Sequence, residues 1–415
     1  MSVYRLLKQV AQALKPTQAV HETLNEVLAQ INKQLQLREL QAQATPGGSV
    51  AKNTFLRSSH DVDVFVRFAH SYEDEDLSDL LENALSTYKP RRVHGSRDYF
   101  LFDYRGYTFE VVPVLAITSA QQARNVTDAS PLHVMYFKKR GVGLEDEVRL
   151  AKQFAKAAGV YGAESYLRGF SGHVLDLLII HHQSCYELVK AAARWQAPVV
   201  IDLEEHHQNP LVVIDSSKHG PLLLVDPIQP QRNAAAALSQ EQFAAFRVRC
   251  QEFLEAPSVE FFKIPEFSVE QVQKRVHNKP SLVLLLTPPS DDKTDVAGSR
   301  VRKFFERLRD EFIRAGFTLE EADWHFEEDE PSTAWFVFAE EELPAVEERE
   351  GPPITQEEHA KRFREEHADV VEKQGRLYAP VPREITTPKQ FLEAHGPSIS
   401  QQTRVEYAHA QPLKR

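Results

Sequence analysis

Residues 46–68, Pro-Gly-Gly-Ser-Val-Ala-Lys-Asn-Thr-Phe-Leu-Arg-Ser-Ser-His-Asp-Val-Asp-Val-Phe-Val-Arg-Phe, constrain this chain more than any other stretch. A turn at Gly47-Gly48-Ser49 is followed, twelve residues after Ser49, by Asp61 and Asp63 inside a run of β-branched and aromatic residues. The alternation has period two and predicts a half-buried strand. Asp61, Asp63 and Phe65 then share one face, and Val62, Val64 and Val66 the other. Two carboxylates on one face repel unless a cation or a proton lies between them.

Mg²⁺, hard and oxygen-loving, is the natural cation, and it usually arrives with phosphates. The Gly47-Gly48-Ser49 turn offers backbone N–H groups and a hydroxyl to such phosphates. Each feature alone has an ordinary reading, since Asp-x-Asp on a solvated edge and Gly-Gly-Ser turns are both common. A third carboxylate tests the pattern. Residues 107–114 read as a strand in which Thr108, Glu110 and Val112 share a face between apolar neighbours. A carboxylate in mid-strand needs a partner. If this strand pairs beside 61–66, Glu110 completes a cluster; the alternative is an edge position facing water.

At 415 residues the chain is long enough for two or three domains with ample core. No run is long and apolar enough to span a bilayer, and Met1-Ser2-Val3-Tyr4-Arg5 carries no apolar signal core. Cys185 and Cys250 form no metal or redox motif and read as buried free thiols. Together these predict a cytoplasmic protein that engages no membrane. The net charge of −11 argues against wholesale polyanion binding, but acidic residues concentrate late, at 340–350. Basic residues gather at 89–97 and 300–314, so a locally positive channel remains open.

In chain order, 19–36 carries the helical stripe Val20, Leu24, Val27, Leu28, Ile31 and Leu35. A helix at 77–87, a basic turn at 89–92 and a strand at 99–104 precede the Glu110 strand. Residues 145–158 form a helix ended by Gly159, with Lys152 off the centre of its apolar stripe. An apolar run follows at 174–180, and Ser184 with Glu187 suggests a capping box for a helix reaching Trp195. Strands are expected at 199–202, 211–215 and 222–226, and Ser239 caps a helix to about Leu254. His181, His182, His206 and His207 sit in adjacent pairs, which place no two rings on one face, and read as ordinary histidines.

From 280 the pattern changes to strand 282–286, helix 301–313, strands 317–326 and 334–338, a charged linker, helix 357–367 and strand 376–381. That β-α-β-β-α-β order is the split βαβ arrangement. Such a sheet can bind RNA through exposed aromatics, though many bind none. The segment after Gly396 is polar and expected to be frayed.

Clustered carboxylates behind a phosphate-friendly turn suit nucleotidyl transfer, with one Mg²⁺ activating an acceptor hydroxyl and a second holding the triphosphate. Phosphatases and nucleases cluster carboxylates in the same way, so the reaction class stays open at this point; the Gly48-Ser49 turn favours a triphosphate.

Gly48-Ser49, Asp61-Val62-Asp63 and Glu110 resemble the signature of the polymerase β-like nucleotidyltransferase superfamily. The chain is more specifically similar to the class I, archaeal-type CCA-adding enzymes. That likeness runs through Arg124-Asn125-Val126-Thr127-Asp128, Pro131-Leu132-His133 and Val148-Arg149-Leu150-Ala151-Lys152. It continues in Gly159-Val160-Tyr161-Gly162-Ala163-Glu164, Gly169-Phe170-Ser171-Gly172-His173-Val174-Leu175-Asp176-Leu177-Leu178, Val225-Asp226-Pro227 and Arg232-Asn233-Ala234. The resemblance implies that Asp61, Asp63 and Glu110 hold two Mg²⁺ ions and perform catalysis. It implies nucleotide-binding roles for Gly48, Ser49, Arg57, His133, Lys152, Tyr161 and Arg232. The implied activity is template-independent addition of C, C and A to the tRNA 3′ end from CTP and ATP, with a grip on the acceptor stem and T arm and a homodimeric state.

The implied fold is α+β: a nucleotidyltransferase head at 1–140, a mostly helical central domain at 141–270, a ferredoxin-like split βαβ tRNA-gripping region with tail elements at 271–395, and a disordered tail at 396–415. Departures from the family pattern are Glu110 where Asp is usual, and His173 and Asp176 where Tyr and Glu are usual. The alternatives are a poly(A) polymerase or oligoadenylate-type enzyme, and a catalytically inactive RNA-binding protein.

Overall fold

The protein, a computed structural model describing residues 2–290, 292–328, 330–400 and 403–409, divides into two compact units, Met1–Pro265 and Glu266–Arg415. No helix among the described residues is long and apolar enough to cross a membrane.

Helix α1 (Val3–Leu14), which the sequence reading did not anticipate, starts at the Ser2 cap and buries Leu6, Leu7, Val10 and Ala11. It packs into the core built by later helices, with Val148, Ala151 and Phe154, so the head expected at 1–140 does not own its first helix. Helix α2 (Ala19–Leu37) instead faces the head, burying Val20, Leu24, Val27, Ile31 and Leu35.

Strand β1 (Ala42–Pro46) runs into the single-turn helix α3 (Gly48–Ala51), followed by β2 (Asp61–Phe68) and α4 (Leu77–Leu85). The expected basic turn at 89–92 is in part strand β3 (Arg91–Val93), which pairs with β4 (Tyr99–Tyr104); β5 (Tyr107–Leu115) follows. The five strands order as β1-β2-β5-β4-β3, with β2 and β5 parallel and the other neighbours antiparallel. Val62, Val64, Val66, Phe109 and Val111 pack beneath α2 and α4, which leaves the opposite face for the carboxylates.

Helices α5 (Ser130–Arg140), α6 (Glu145–Ala157), α7 (Gly172–His182) and α8 (Cys185–Ala192) build the second core with α1. Phe154 lies at its centre, 1% exposed, with the rings of Phe246, Phe253, Phe261 and Phe262 around it. Strand β6 (Val199–Ile201) pairs in parallel with β7 (Leu222–Leu224). The strand expected at 211–215 is instead a helical turn, α9 (Pro210–Val213): Pro210 at its first position has its φ preset for a helix. Helix α10 (Gln240–Glu255), capped by Ser239, closes the core. Cys185 and Cys250 are both buried free thiols.

In the second unit, α11 (Val269–Val276) precedes β8 (Ser281–Thr287), α12 (Thr294–Arg314), β9 (Leu319–His325) and β10 (Ser332–Phe338). The split βαβ arrangement is present, but its second half is not the one read from the sequence. The expected charged linker forms β11 (Val346–Pro353). With α13 (Glu357–Glu366), β12 (Val371–Lys373) and β13 (Arg376–Pro382) it makes an inserted three-stranded sheet, ordered β11-β13-β12. The true completing elements are α14 (Pro388–Ser400) and β14 (Arg404–His409), in the sheet order β14-β8-β10-β9.

Thus residues 396–400 and 404–409, expected to be a disordered tail, are helix and strand; 401, 402 and 410–415 lie outside the described residues. The helical pattern of α14 is disguised by the internal Pro397, and β14 is an edge strand that needs few apolar residues. One face of this sheet packs on Phe304, Phe305, Leu308 and Phe312 of α12, and the other is covered by Val272 and Val276 of α11. Trp335 is buried under that cover, and among the described aromatics of this sheet Tyr407 of the edge strand β14 is an exposed one.

Removing residues 403–415 strips β14 from β8 and exposes Leu284 and Leu286 along a new edge. Scanning calorimetry should then show the transition of the second unit lowered by on the order of 10 °C. An unchanged midpoint would mean that the strand contributes nothing to the fold.

Candidate active site

Parallel pairing of β2 with β5 sets Asp61 opposite Thr108 and Asp63 opposite Glu110, so the three carboxylates share one sheet face. Along that face exposure falls from Asp61 to Asp63, and Phe65 is buried with Val112, Val114 and Val134. The site is therefore a polar rim on an apolar floor.

The turn sits directly on the aspartates. The Gly47 N–H donates to the Asp63 carbonyl at 2.8 Å. Gly48 has φ +47°, and a Cβ there would lie 1.7 Å from Asp63 Oδ2. Only glycine permits both that conformation and that approach. Ser49 follows in the first turn of α3, whose N–H groups have no partners within the helix.

Residues just after the turn are held by α6 and α7. Arg149 donates to the Asn53 carbonyl, and Lys152 Nζ donates to Thr54 Oγ1 at 3.0 Å. Lys52 forms a short ion pair with Asp176, which is 2% exposed. The sequence reading did not single out Lys52 as a site residue. Its signal was position, three residues beyond Ser49, but a lone lysine there carries no pattern.

Lys152 is 3% exposed, where the sequence placed it off the apolar stripe. Burial lowers its pKa to about 8, Lys52 adding to the drop while Asp176 and Asp63 oppose it. Gly172, at the start of α7, leaves room for Lys152 and for the Tyr161 hydroxyl, which lies 3.1 Å from where a Cβ would be. Burial, with the charges of Asp176, Glu164, Asp63 and Asp61, raises the Tyr161 hydroxyl far above its ordinary range. Lys156, one helical turn beyond Lys152, rests its ammonium 5.1 Å from the Tyr161 ring centroid and was likewise missed. Burial lowers its pKa, and Asp61 opposes the shift.

His133 belongs to a neighbouring cluster that the sequence did not reveal. Its Nε2 lies 3.0 Å from Asp226 Oδ1, His173 Nε2 lies 3.4 Å from Oδ2, and Arg232 Nη1 donates to Oδ2 at 2.7 Å. Asp128, fully buried, explains the 124–128 motif: it pairs with Arg97 and accepts from the N–H groups of Leu115, Arg124 and Asn125. That knot fixes the loop leading from β5 to the helix bearing His133. Arg57 is exposed on the loop before β2, and its backbone N–H donates to the Leu14 carbonyl. His206 and His207 bond to the carbonyls of Pro227 and Pro230, as ordinary histidines do.

The three carboxylates offer oxygen donors on one sheet face, the donor type a hard divalent cation prefers. Burial pushes Asp63 up, Lys52 and Lys152 oppose, and Asp61 adds to the rise. Burial, Asp63 and Asp61 push Glu110 up to about 7. Negative charge thus accumulates on oxygen donors alone, the ligand set Mg²⁺ prefers.

The Glu110 shift has a signed consequence. Its folded pKa lies above the ordinary 4.5, so the folded state keeps a proton that the unfolded chain has released between about pH 4.5 and 7. Stability from this group is present at low pH and is lost as pH rises through about 7. In chelator-treated protein, urea unfolding should show stability falling from pH 5 to 8 less steeply for Glu110→Gln than for the parent. Equal slopes would place the Glu110 carboxyl in an unperturbed environment.

Three sequence families match the chain: a nucleotidyltransferase domain at 26–103, the second domain of tRNA nucleotidyltransferases at 146–263, and the C-terminal domain of CCA-adding enzymes at 286–407. The CCA-adding enzyme of Methanosarcina mazei is 30% identical over 408 residues, covering 92% of this chain and 87% of the relative. That of Methanocaldococcus jannaschii is 28% identical, covering 93% and 89%. The Nanoarchaeum equitans enzyme is 40% identical over 204 residues, 48% of this chain and 52% of the relative. Among solved structures, a cytoplasmic RNA terminal U-transferase aligns at TM-score 0.51 and 12% identity, covering 64% of this chain and 99% of that one, a likeness of fold alone. With identity sustained over nearly its whole length and all three domain families in order, the chain belongs to the CCA-adding enzyme family.

Proposed function

We propose that this protein adds C, C and A to the 3′ end of tRNA without a nucleic-acid template, consuming CTP and ATP and releasing pyrophosphate. Metal-dependent nucleotidyl transfer follows from the family. The observation that carries the chemistry is the contact of the Gly47-Gly48-Ser49 turn with Asp63, itself registered beside Glu110. A turn pressed onto metal-binding carboxylates puts a phosphate cradle and a cation site within one triphosphate length.

In this reading Asp61, Asp63 and Glu110 hold two Mg²⁺ ions, which supply activation of the primer hydroxyl and neutralisation of the charge developing on the leaving pyrophosphate. Ser49 and the N–H groups of the turn cradle the phosphates. Lys52 and Lys152 add positive charge, and a pKa of about 8 leaves Lys152 mostly protonated at neutral pH. His133 and Tyr161 complete the grip on triphosphate and ribose, and Arg232, half exposed, reaches toward base and primer. Lys156 extends the positive edge on the Asp61 side. Most of the acceleration comes from positioning and charge stabilisation. The Glu266–Arg415 unit would grip the acceptor stem and T arm by shape and phosphates. A cytoplasmic homodimer belongs to the same proposal.

A tRNA transcript lacking its last three nucleotides, incubated with Mg²⁺ and sequenced at its end, should gain C-C with CTP alone and C-C-A with both nucleotides, then stop. The Asp61→Ala/Asp63→Ala double substitution should lower the rate by about a thousandfold or more. Open-ended A addition would point instead to a poly(A)-type enzyme. Triphosphate binding with no extension would leave an inactive RNA-binding protein.

A further inference from the structure

Asp226 is fully buried, yet its carboxylate is the meeting point of three segments. Oδ1 accepts from His133 Nε2 at 3.0 Å and from the N–H groups of Ile228 and Gln229 at 2.9 and 3.1 Å. Oδ2 accepts from Arg232 Nη1 at 2.7 Å and from His173 Nε2 at 3.4 Å. His133 comes from α5, His173 from α7, and Arg232 from the loop after β7. The two imidazoles lie against each other with centroids 4.3 Å apart and planes inclined at 44°.

The ligating atoms of His133, His173 and Asp226 lie within 4.8 Å of one another, which would admit a metal. The donors argue otherwise. An ionised carboxylate only accepts, so each Nε2 beside it must carry its proton and has no lone pair for a metal. A guanidinium on the same carboxylate would also repel a cation. Although burial opposes the charge, the hydrogen bonds of His133 and His173 hold the Asp226 carboxyl far below the usual carboxylate range.

We propose that Asp226 is a positioning residue that fixes His133 and Arg232 together as one rigid contact unit for the incoming nucleotide. With Nε2–H committed to Asp226, His133 keeps Nδ1 as an acceptor for a nucleotide hydroxyl, and Arg232 keeps its remaining N–H groups to donate. His173 braces the His133 ring and shares the same carboxylate. Without the carboxylate the two side chains lose their common anchor, and nucleotide binding has to order them anew. This inference rests on the nucleotide roles of His133 and Arg232 proposed above.

The test is steady-state kinetics of CTP and ATP incorporation for Asp226→Asn, His133→Ala/Arg232→Ala and the triple variant. Asp226→Asn should raise KM for both nucleotides on the order of tenfold to a hundredfold, with a smaller change in kcat. In the His133→Ala/Arg232→Ala background the same change should add little, because the groups it acts through are gone. An unchanged KM in Asp226→Asn, or an equal effect in both backgrounds, would overturn the inference while leaving the nucleotide site standing. An unchanged KM in His133→Ala/Arg232→Ala would instead bring down the nucleotide roles themselves. Should Asp226→Asn fail to fold, ¹⁵N–¹H correlation spectra of the histidine rings in the unaltered protein decide. Protons on Nε2 of both His133 and His173 are expected, and an Nδ1–H tautomer at His133 would refute the anchor.

Discussion

Crowding of negative charge on one face of β2 and β5 is the constraint on which the first unit depends. Asp61, Asp63 and Glu110 share that face because two parallel strands place Asp63 beside Glu110. Burial, and then their repulsion, pushes the Glu110 carboxyl up to about 7. The protein supplies part of the compensation from outside the sheet, through Lys52 beyond the turn and Lys152 on α6. Buried lysines need a counter-charge themselves, and Asp176 of α7 provides it. The charge on the carboxylate face thus cannot be balanced by the head alone, and the helices that balance it pack in the same compact unit.

Buried aspartates recur as anchors at the edge of this site. Asp128 ties the loop after β5 to Arg97 and to three backbone N–H groups, and it thereby sets where the helix carrying His133 begins. Asp226 collects His133, His173 and Arg232. Asp176 holds Lys52. Asp128 and Asp226 are acceptor-only groups with several donors, and Asp176 acts through the Lys52 ion pair; each converts a flexible polar side chain into a fixed one, at a desolvation cost offset by charge-assisted hydrogen bonds.

The second unit shows how an insertion hides in a sequence. Between β10 and α14 the chain detours through β11, α13, β12 and β13, which bury a small core of Ala360, Phe363, Leu377 and Ala379. Helix α13 and strand β13 have the right order and spacing to close a split βαβ unit, so a reading by periodicity assigns them to it. Hydrogen bonding decides otherwise: β8 takes β14 as its outer neighbour, and β13 lies between β11 and β12.

The sequence alone determined the strands bearing Asp61, Asp63 and Glu110, the glycine turn, and most helices with a one-sided apolar stripe. These are local patterns, and one segment contains the whole signal. Pairing, burial and partners were decided only by the tertiary structure. Lys152 reads as a solvated lysine until α6 is set against Thr54, and Lys52 reads as nothing until Asp176 arrives from 124 residues away. Helix α1 is amphipathic, but its partner core is assembled from residues more than a hundred positions later. A contact's free energy depends on what lies across the gap, and periodicity along one chain segment carries no information about that neighbour.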